Sequence, residues 1–310
     1  MRVLVTGGAG FIGSHLVDAL VARGDVVNVL DDLSTGQRKN LEGASDRATL
    51  FVGCVTDLAA VRAAMDGCAL VFHQAAVASV QRTIDEPLHT SRVNLGGTLN
   101  VLEAAREKGV RRVVFAGSAA TYGDNPALPL SESEDPRPMS PYAIEKLASE
   151  QYLRVYSQLF AVETVTLRYF NVFGPRQDPS SPYSGVISIF VDRLLRGLTP
   201  TINGDGLQSR DFVYVADVVA ANLLAASVSG ANGGTFNIAR GVSTTLIDLY
   251  AALSQVIGGP RQPGFAPARA GDIRHSLASI SRARNVLGFA PKVELADGLA
   301  QLVAAVRASR

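Results

Sequence analysis

VLVTGGAGFIGSHLVDAL, residues 3 to 20, decides how the rest of the chain is read. VLVT is a short run of strand-forming residues, apolar throughout its first half, as a strand covered on both faces requires. SHLVDAL resumes with helical spacing. Between them Gly7, Gly10 and Gly13 form GxxGxxG. Glycine there permits a tight turn, close approach of backbone to a pyrophosphate, and close helix-to-strand packing. The helix that follows turns free N–H groups and a positive dipole end toward such an anion. With 29 glycines in the chain, the spacing alone carries little weight. Context adds to it: a second strand, VVNVL (26–30), ends at Asp31 and Asp32. An acidic side chain at that place accepts hydrogen bonds from an adenosine ribose and repels a 2′-phosphate, which favours NAD over NADP. The plainer alternative is a glycine turn followed by a solvated acidic loop.

Further along, ATLFV (48–52), LVFHQ (70–74) and RVVFAG (112–117) read as strands. Helical patterns at 13–23, 58–65 and 93–107 lie between them. This alternation predicts an α/β fold: a Rossmann-type, doubly wound parallel sheet with helices on both faces. After Arg168 the pattern changes. NVFGPRQDPSSPYSG (171–185) reads as a long loop, a kind of segment that is commonly functional. Helices at 215–227 and 245–257 mix with short strands, which predicts a smaller, mixed α/β C-terminal lobe. The expected division is 1–170 for the dinucleotide domain and 171–310 for the lobe, with about 212–240 returning to the first.

The bulk numbers bound the function. There are 310 residues, 47% of them apolar, so a substantial core is available. Net charge is +1 and no basic run stands out, which argues against a nucleic-acid partner. Cys54 and Cys68 lack CxxC spacing and read as thiols rather than a disulfide. The four histidines are scattered, so no metal site is legible. No stretch has the length of a membrane span, and glycines interrupt the N-terminal apolar run too early for a signal peptide. The expectation is a cytoplasmic protein.

MSPYAIEKLASEQ (139–151) then raises a question of chemistry. Ser140 suits an N-cap and Pro141 the first helical position. Tyr142 and Lys146, four apart, share a helix face. Alone, the two read as a surface pair. Beside a nicotinamide they read as a proton-transfer couple, with the ammonium and the cationic ring favouring phenolate near neutral pH. Ser118, just past a strand end, is the candidate third member that orients a substrate hydroxyl; its plain reading is a turn serine.

With these residues in view, the chain resembles the extended short-chain dehydrogenase/reductase family. More narrowly it resembles nucleotide-sugar 4-epimerases of the UDP-glucose 4-epimerase type. The marks are TGGAGFIGSH, HQAA (73–76), YGD, SPYAIEK, RYFNVFGPRQDP (168–179), NGDGLQSRDFVYV (203–215) and RAGDIRHS (269–276). The resemblance implies that Tyr142 takes the proton of the sugar 4-hydroxyl while C4 gives hydride to NAD. The 4-keto sugar then turns over and is reduced on its other face. Ser118 would hydrogen-bond O4, and Lys146 would hold the nicotinamide ribose and depress the phenol pKa. It extends the cofactor set to Phe11, Ile12, Cys54, Val55, Ala75, Ala76 and Asn94. It places Ser79, Val186 and Asn203 on the substrate side. UDP would be held by Asn171, Arg210 and Arg269, with Asp272 near the uridine ribose; arginine suits a pyrophosphate because its fork is always charged.

Three details narrow the resemblance. Related 4,6-dehydratases and decarboxylases carry an acid two residues before the Tyr of YG, where this chain has Ala120; epimerisation is therefore favoured. Hexose-restricted epimerases hold a bulky Tyr where this chain has Ser276, and a small residue leaves room for an N-acetyl group. The expected substrates are UDP-GlcNAc/UDP-GalNAc, with UDP-Glc/UDP-Gal beside them. Cys54 stands where relatives usually have an Asp on the adenine, and a thiol is a weak acceptor. Ser279 likewise stands in place of an Asp. A non-catalytic NAD sensor is the alternative of another class; it has no need of the Tyr, Lys and Ser set. Relatives are commonly homodimers, and helices 93–107 and 142–159 are the expected interface.

Overall fold

The computed structural model describes residues 1–44, 46–178, 185–258, 262–268 and 273–308. Arg269 and Asp272 lie outside the described residues. The first five strands are β1 (Arg2–Thr6), β2 (Val26–Asp31), β3 (Ala48–Val52), β4 (Leu70–His73) and β5 (Arg112–Ser118). They are followed by β6 (Glu163–Tyr169), β7 (Asn171–Phe173), β8 (Thr201–Asn203), β9 (Ser209–Tyr214), β10 (Gly234–Ile238), β11 (Ser243–Thr245) and β12 (Gly264–Ala266). Seven of them form one parallel sheet in the order β10-β6-β5-β4-β1-β2-β3. This is the doubly wound, Rossmann-type arrangement.

The helices are α1 (Phe11–Ala22), α2 (Leu58–Ala64), α3 (Val80–Asp85), α4 (Pro87–Ser91), α5 (Gly97–Lys108) and α6 (Pro141–Leu159). Then come α7 (Val186–Leu195), α8 (Val215–Ser227), α9 (Leu246–Ile257) and α10 (Leu295–Ala308). Successive residues of a strand point to opposite faces, so β1 feeds two cores. Val3 and Val5 pack with α1 and α8 through Leu16, Leu20 and Val218. Leu4 packs on the other face with α2, α5 and α6 through Val61, Val101 and Leu153. Both faces are covered, which is why β4 and β5 are apolar and buried almost throughout.

The chain leaves this sheet after β6 and comes back to it. β7, β9 and β11 make a separate three-stranded sheet, and β8 pairs with β12. α8 and β10 then return to the main sheet. Arg112, fully buried on β5, helps fix that return. Its guanidinium donates to the carbonyls of Ala225 at 2.7 Å and Val228 at 2.8 Å, closing the end of α8, and to Glu163 at 2.7 Å. β9 stays with the lobe, so the crossing back begins at Val215 rather than at Phe212. Two further sequence expectations need amending. The 171–185 segment begins as strand β7, because Asn171–Phe173 finds a partner in β9. The helix expected over 93–107 is a π-helical turn at Arg92–Gly96 running into α5.

Candidate active site

β1 and β4 are neighbours in the sheet, yet the chain leaves their carboxyl ends toward opposite faces. That switch point is where ligands bind in open α/β sheets. A cavity of about 450 Å³ opens there, walled by the segments after β1, β2 and β4 and by Tyr142 and Lys146 of α6.

The glycine turn forms its floor. Gly7 has φ +66°, and a Cβ on it would lie 2.7 Å from the Ala75 nitrogen. A Cβ on Gly13 would lie 2.1 Å from the Gly7 carbonyl oxygen, so helix and turn touch backbone to backbone. Gly10 caps α1 without a side-chain bond, and the first turn has no acid to compete for an anion. Phe11 and Ile12 line the cavity beside it. Asp31 and Asp32 line the far end. The buried Asp31 accepts from the N–H groups of Ala9 at 2.9 Å and Leu33 at 2.8 Å, so it shapes the turn as well as facing the cavity. Burial pushes its carboxyl up. Cys54, Val55, Ala75 and Ala76 complete this end. A backbone cradle that a Cβ would fill, with a positive helix end and the carboxylates of Asp31 and Asp32 in its lining, fits the dinucleotide with an unphosphorylated adenosine ribose.

At the other end stand Tyr142 and Lys146. Ser140 Oγ accepts from Ala143 N at 3.2 Å and Pro141 opens the helix, which aims the next turn at the cavity. Lys146 is only 3% exposed, which disposes of a surface pair. Its ammonium donates to the Ala116 carbonyl at 2.9 Å and lies 4.7 Å from the Phe115 ring centre. Burial lowers its pKa to about 8, opposed by Glu145. The Ser118 hydroxyl accepts from the Ala120 N–H at 3.2 Å and lies near enough to the Tyr142 phenol to favour its deprotonation.

One expectation is corrected here. Lys146 was to depress the phenol pKa. Within the chain, burial raises it instead, Ser118 opposes the rise, and Glu145 adds to it. The Lys146 ammonium reaches past the phenol to Ala116, 5.9 Å from the Tyr142 ring centre.

The remaining candidates fall elsewhere. Asn94 is buried behind the wall, its amide exchanging hydrogen bonds with the Val77 backbone at 2.8 and 3.1 Å. Ser79 caps α3, accepting from Arg82 N at 3.0 Å. Neither lines the cavity. Asn171, Val186, Asn203, Arg210 and Ser276 belong to the lobe and do not line it either. Three of them gather about β9. Asn171 pairs with Phe212, Arg210 is on the strand, and the Ser276 N–H donates to the Ser209 carbonyl at 3.1 Å. The half-buried Val186 opens α7, and Asn203 ends β8.

Gln74 and Tyr169 line the cavity and were not singled out for chemistry. They sit inside HQAA and RYFN, and the two side chains share a hydrogen-bonded group with Asn222. Burial holds the Tyr169 phenol up at about 12. The signal was a polar side chain at the carboxyl end of a buried strand, Gln74 just after β4 and Tyr169 closing β6.

Residues 3–239 match the model of the NAD dependent epimerase/dehydratase family. The chain belongs to that family, and its cofactor is NAD. A UDP-glucose 4-epimerase of Mycolicibacterium smegmatis is 44% identical over 308 residues, 98% of this chain and 97% of the relative. Among solved structures, the Thermotoga maritima UDP-glucose 4-epimerase with UDP-glucose superposes with TM-score 0.95 at 40% identity, covering 100% of this chain and 99% of that one. The UDP-N-acetylglucosamine 4-epimerase of Methanobrevibacter ruminantium, in complex with UDP-N-acetylmuramic acid, gives 0.96 at 39% identity with the same coverage. This family member is thus similar along its whole length to 4-epimerases of both sugar classes. Among the described residues no helix is long and apolar enough to cross a membrane.

Proposed function

We propose that the chain is a UDP-sugar 4-epimerase acting on UDP-GlcNAc/UDP-GalNAc and also on UDP-Glc/UDP-Gal. The observation that carries this reading is the phenol of Tyr142, with Ser118 near it and Lys146 one helical turn along, at the wall of the cavity that fits NAD. Tyr142 takes the proton of the 4-hydroxyl and returns it after the sugar turns over. Ser118 holds O4 throughout. Lys146, fixed by Ala116 and Phe115, keeps a positive charge beside the phenol. NAD, when bound, supplies the hydride acceptor and then the donor at C4. Burial raises the free phenol's pKa, so the deprotonated state required of a general base draws on positive charge beyond Lys146. The cofactor set is Gly7, Gly10, Phe11, Ile12, Gly13, Asp31, Asp32, Cys54, Val55, Ala75 and Ala76 with Tyr142 and Lys146; Asn94 supports it from behind.

Epimerisation is favoured over dehydration because position 120, where the related dehydratases carry an acid, is an alanine. Among the described residues the only acids lining the cavity are Asp31 and Asp32, at its far end, and Ala120 has no proton to move. The N-acetylated sugars are favoured by the half-buried Ser276, next to the strand that carries Arg210. Asn171, Arg210 and Arg269 would anchor UDP.

An NMR time course with each sugar nucleotide, without added cofactor, tests the reading. Interconversion of both pairs is expected. A 4-keto-6-deoxy product, or turnover of the plain hexose alone, overturns it. Ser276→Tyr should abolish turnover of the N-acetylated pair and spare the hexose pair.

We also infer a homodimer. The α6 residues Ile144, Tyr152, Val155 and Leu159 recur at helical spacing and are all exposed, as are Ile84 and Leu88 of α3 and α4. α5, the other helix expected at the interface, carries no large exposed apolar side chain among the described residues. Light scattering of the purified chain distinguishes dimer from monomer; Leu159→Glu with Ile144→Glu should give the monomer.

A further inference from the structure

Glu145 lies on α6 between Tyr142 and Lys146 and is only 5% exposed. A buried carboxylate ordinarily pairs with a cation, because taking an isolated charge out of water is costly. Among the described residues none forms an ion pair with Glu145. The adjacent Lys146 ammonium goes instead to Ala116. The carboxylate is met by two neutral donors: Asn94 Nδ2 at 2.6 Å and Thr90 Oγ1 at 3.1 Å.

Those donors belong to the segment that backs the cavity. Asn94 binds the Val77 carbonyl at 3.1 Å with its amide group and the Val77 N–H at 2.8 Å with its oxygen. Val77 lines the cavity. Thr90 lies in the last turn of α4, whose His89 also lines it. Glu145 therefore links the helix bearing Tyr142 and Lys146 to the opposing wall through one intervening side chain. A neutral side chain of similar shape would make such a link at lower cost, so the charge calls for a reason.

We propose that Glu145 is a positioning residue for the proposed epimerisation: its carboxylate ties the Tyr142 helix to the cavity wall through Asn94 and Thr90, and its charge governs proton transfer at Tyr142. The inference rests on the function proposed above. Its negative charge favours the protonated phenol, adding to the rise caused by burial, and favours the protonated ammonium, opposing the larger lowering caused by burial. The other charged or titratable groups around the pair are few. His73 on β4 is held neutral, its pKa lowered to about 3 by burial, with imidazole nitrogens bonded to Thr6 and Thr98. Arg168 and Glu150 neutralise each other one turn further along. Arg82 on α3 and His89 on α4 also line the cavity, and these helices meet α6 through Thr83 and Thr90; Asp31 and Asp32 line it as well.

Two substitutions in the full-length, NAD-bound enzyme separate tie from charge. Glu145→Gln keeps the shape and removes the charge. The acid limb of its kcat–pH profile should move down by about one unit, because the phenol then releases its proton more easily. A purely structural role does not make a variant relatively more active in acid. Glu145→Asp keeps the charge but is one methylene short of Asn94. Its limb should stay in place while kcat falls roughly tenfold to a hundredfold with KM little changed.

An unmoved or raised limb in Glu145→Gln overturns the role of the charge. Wild-type kcat in Glu145→Asp overturns the tie. If wild-type enzyme turns over no UDP-sugar, the function proposed above fails. The present inference is then read from the tyrosinate absorbance titration of Tyr142, isolated by subtracting the Tyr142→Phe spectrum, with the same downward shift expected in Glu145→Gln. Should Glu145→Gln not fold, Thr90→Val removes one donor of the same carboxylate without touching α6, and unchanged kcat there overturns the tie.

Discussion

Gly13→Ala is the sharpest perturbation the glycine turn offers. The added Cβ would stand 2.1 Å from the Gly7 carbonyl oxygen, 2.8 Å from Gly8 Cα and 2.9 Å from the Gly7 carbonyl carbon. Carbon–oxygen contacts begin at about 3.3 Å, so helix and turn must separate by roughly 1 Å. All three neighbours are backbone, which cannot swing aside. The Gly7 oxygen is further held by the Gly10 N–H at 3.2 Å, so displacing it opens the turn itself. Overpacking of this kind costs about 1–3 kcal/mol. The shift falls on the peptide groups that face the pyrophosphate, so the expected loss of NAD affinity is about fivefold to 150-fold. Gly10→Ala supplies the comparison. Its φ of −79° suits any residue, and its Cβ would meet the Gly7 oxygen at 3.2 Å, a contact relieved by a few tenths of an ångström. Its affinity should stay within about threefold of wild type. Isothermal titration of NAD into cofactor-stripped protein, with melting curves as a fold control, measures both. Equal losses in the two variants, or unchanged affinity in Gly13→Ala, would refute the packing argument.

Other outcomes follow from the same geometry. Tyr142→Phe should lower kcat for UDP-sugar interconversion by about 10²- to 10⁴-fold while NAD binding stays within a few-fold, as seen by NMR and titration. Glu150→Gln removes the partner of the buried Arg168, which it meets at 2.6 and 2.9 Å, and should cost about 3–5 kcal/mol in urea unfolding. Asp211 is fully buried and accepts from the N–H groups of Arg240, Gly241 and Ala278, yet burial raises its carboxyl from 3.8 to about 6. Between those values the native state holds a proton the unfolded chain has released. The associated stability, about 2–3 kcal/mol, is complete below pH 3.8 and is lost as pH rises through 6. Urea unfolding at intervals from pH 4 to pH 7 should therefore show the advantage of wild type over Asp211→Asn shrinking as pH rises.

The sequence by itself determined the Rossmann half of this protein. Strands buried on both faces must be apolar, and a turn that packs backbone on backbone must be glycine, so VLVTGGAGFIG announces its own structure. Ser140 and Pro141 likewise fix a helix start, and with it the register that sets Tyr142 and Lys146 on one face. These are local constraints, each written in the residues that obey them. The tertiary structure alone decided the rest. That 171–173 is a strand depends on β9 arriving some forty residues later. That Lys146 bonds to Ala116, and that burial pushes the Tyr142 phenol up, depend on how α6 lies against β5. That Asn94 braces Val77, and that Glu145 is buried with no ion-pair partner among the described residues, depend on α4 and α6 packing together. Burial and partnership belong to pairs of distant segments, and spacing along one chain does not encode the distance between them.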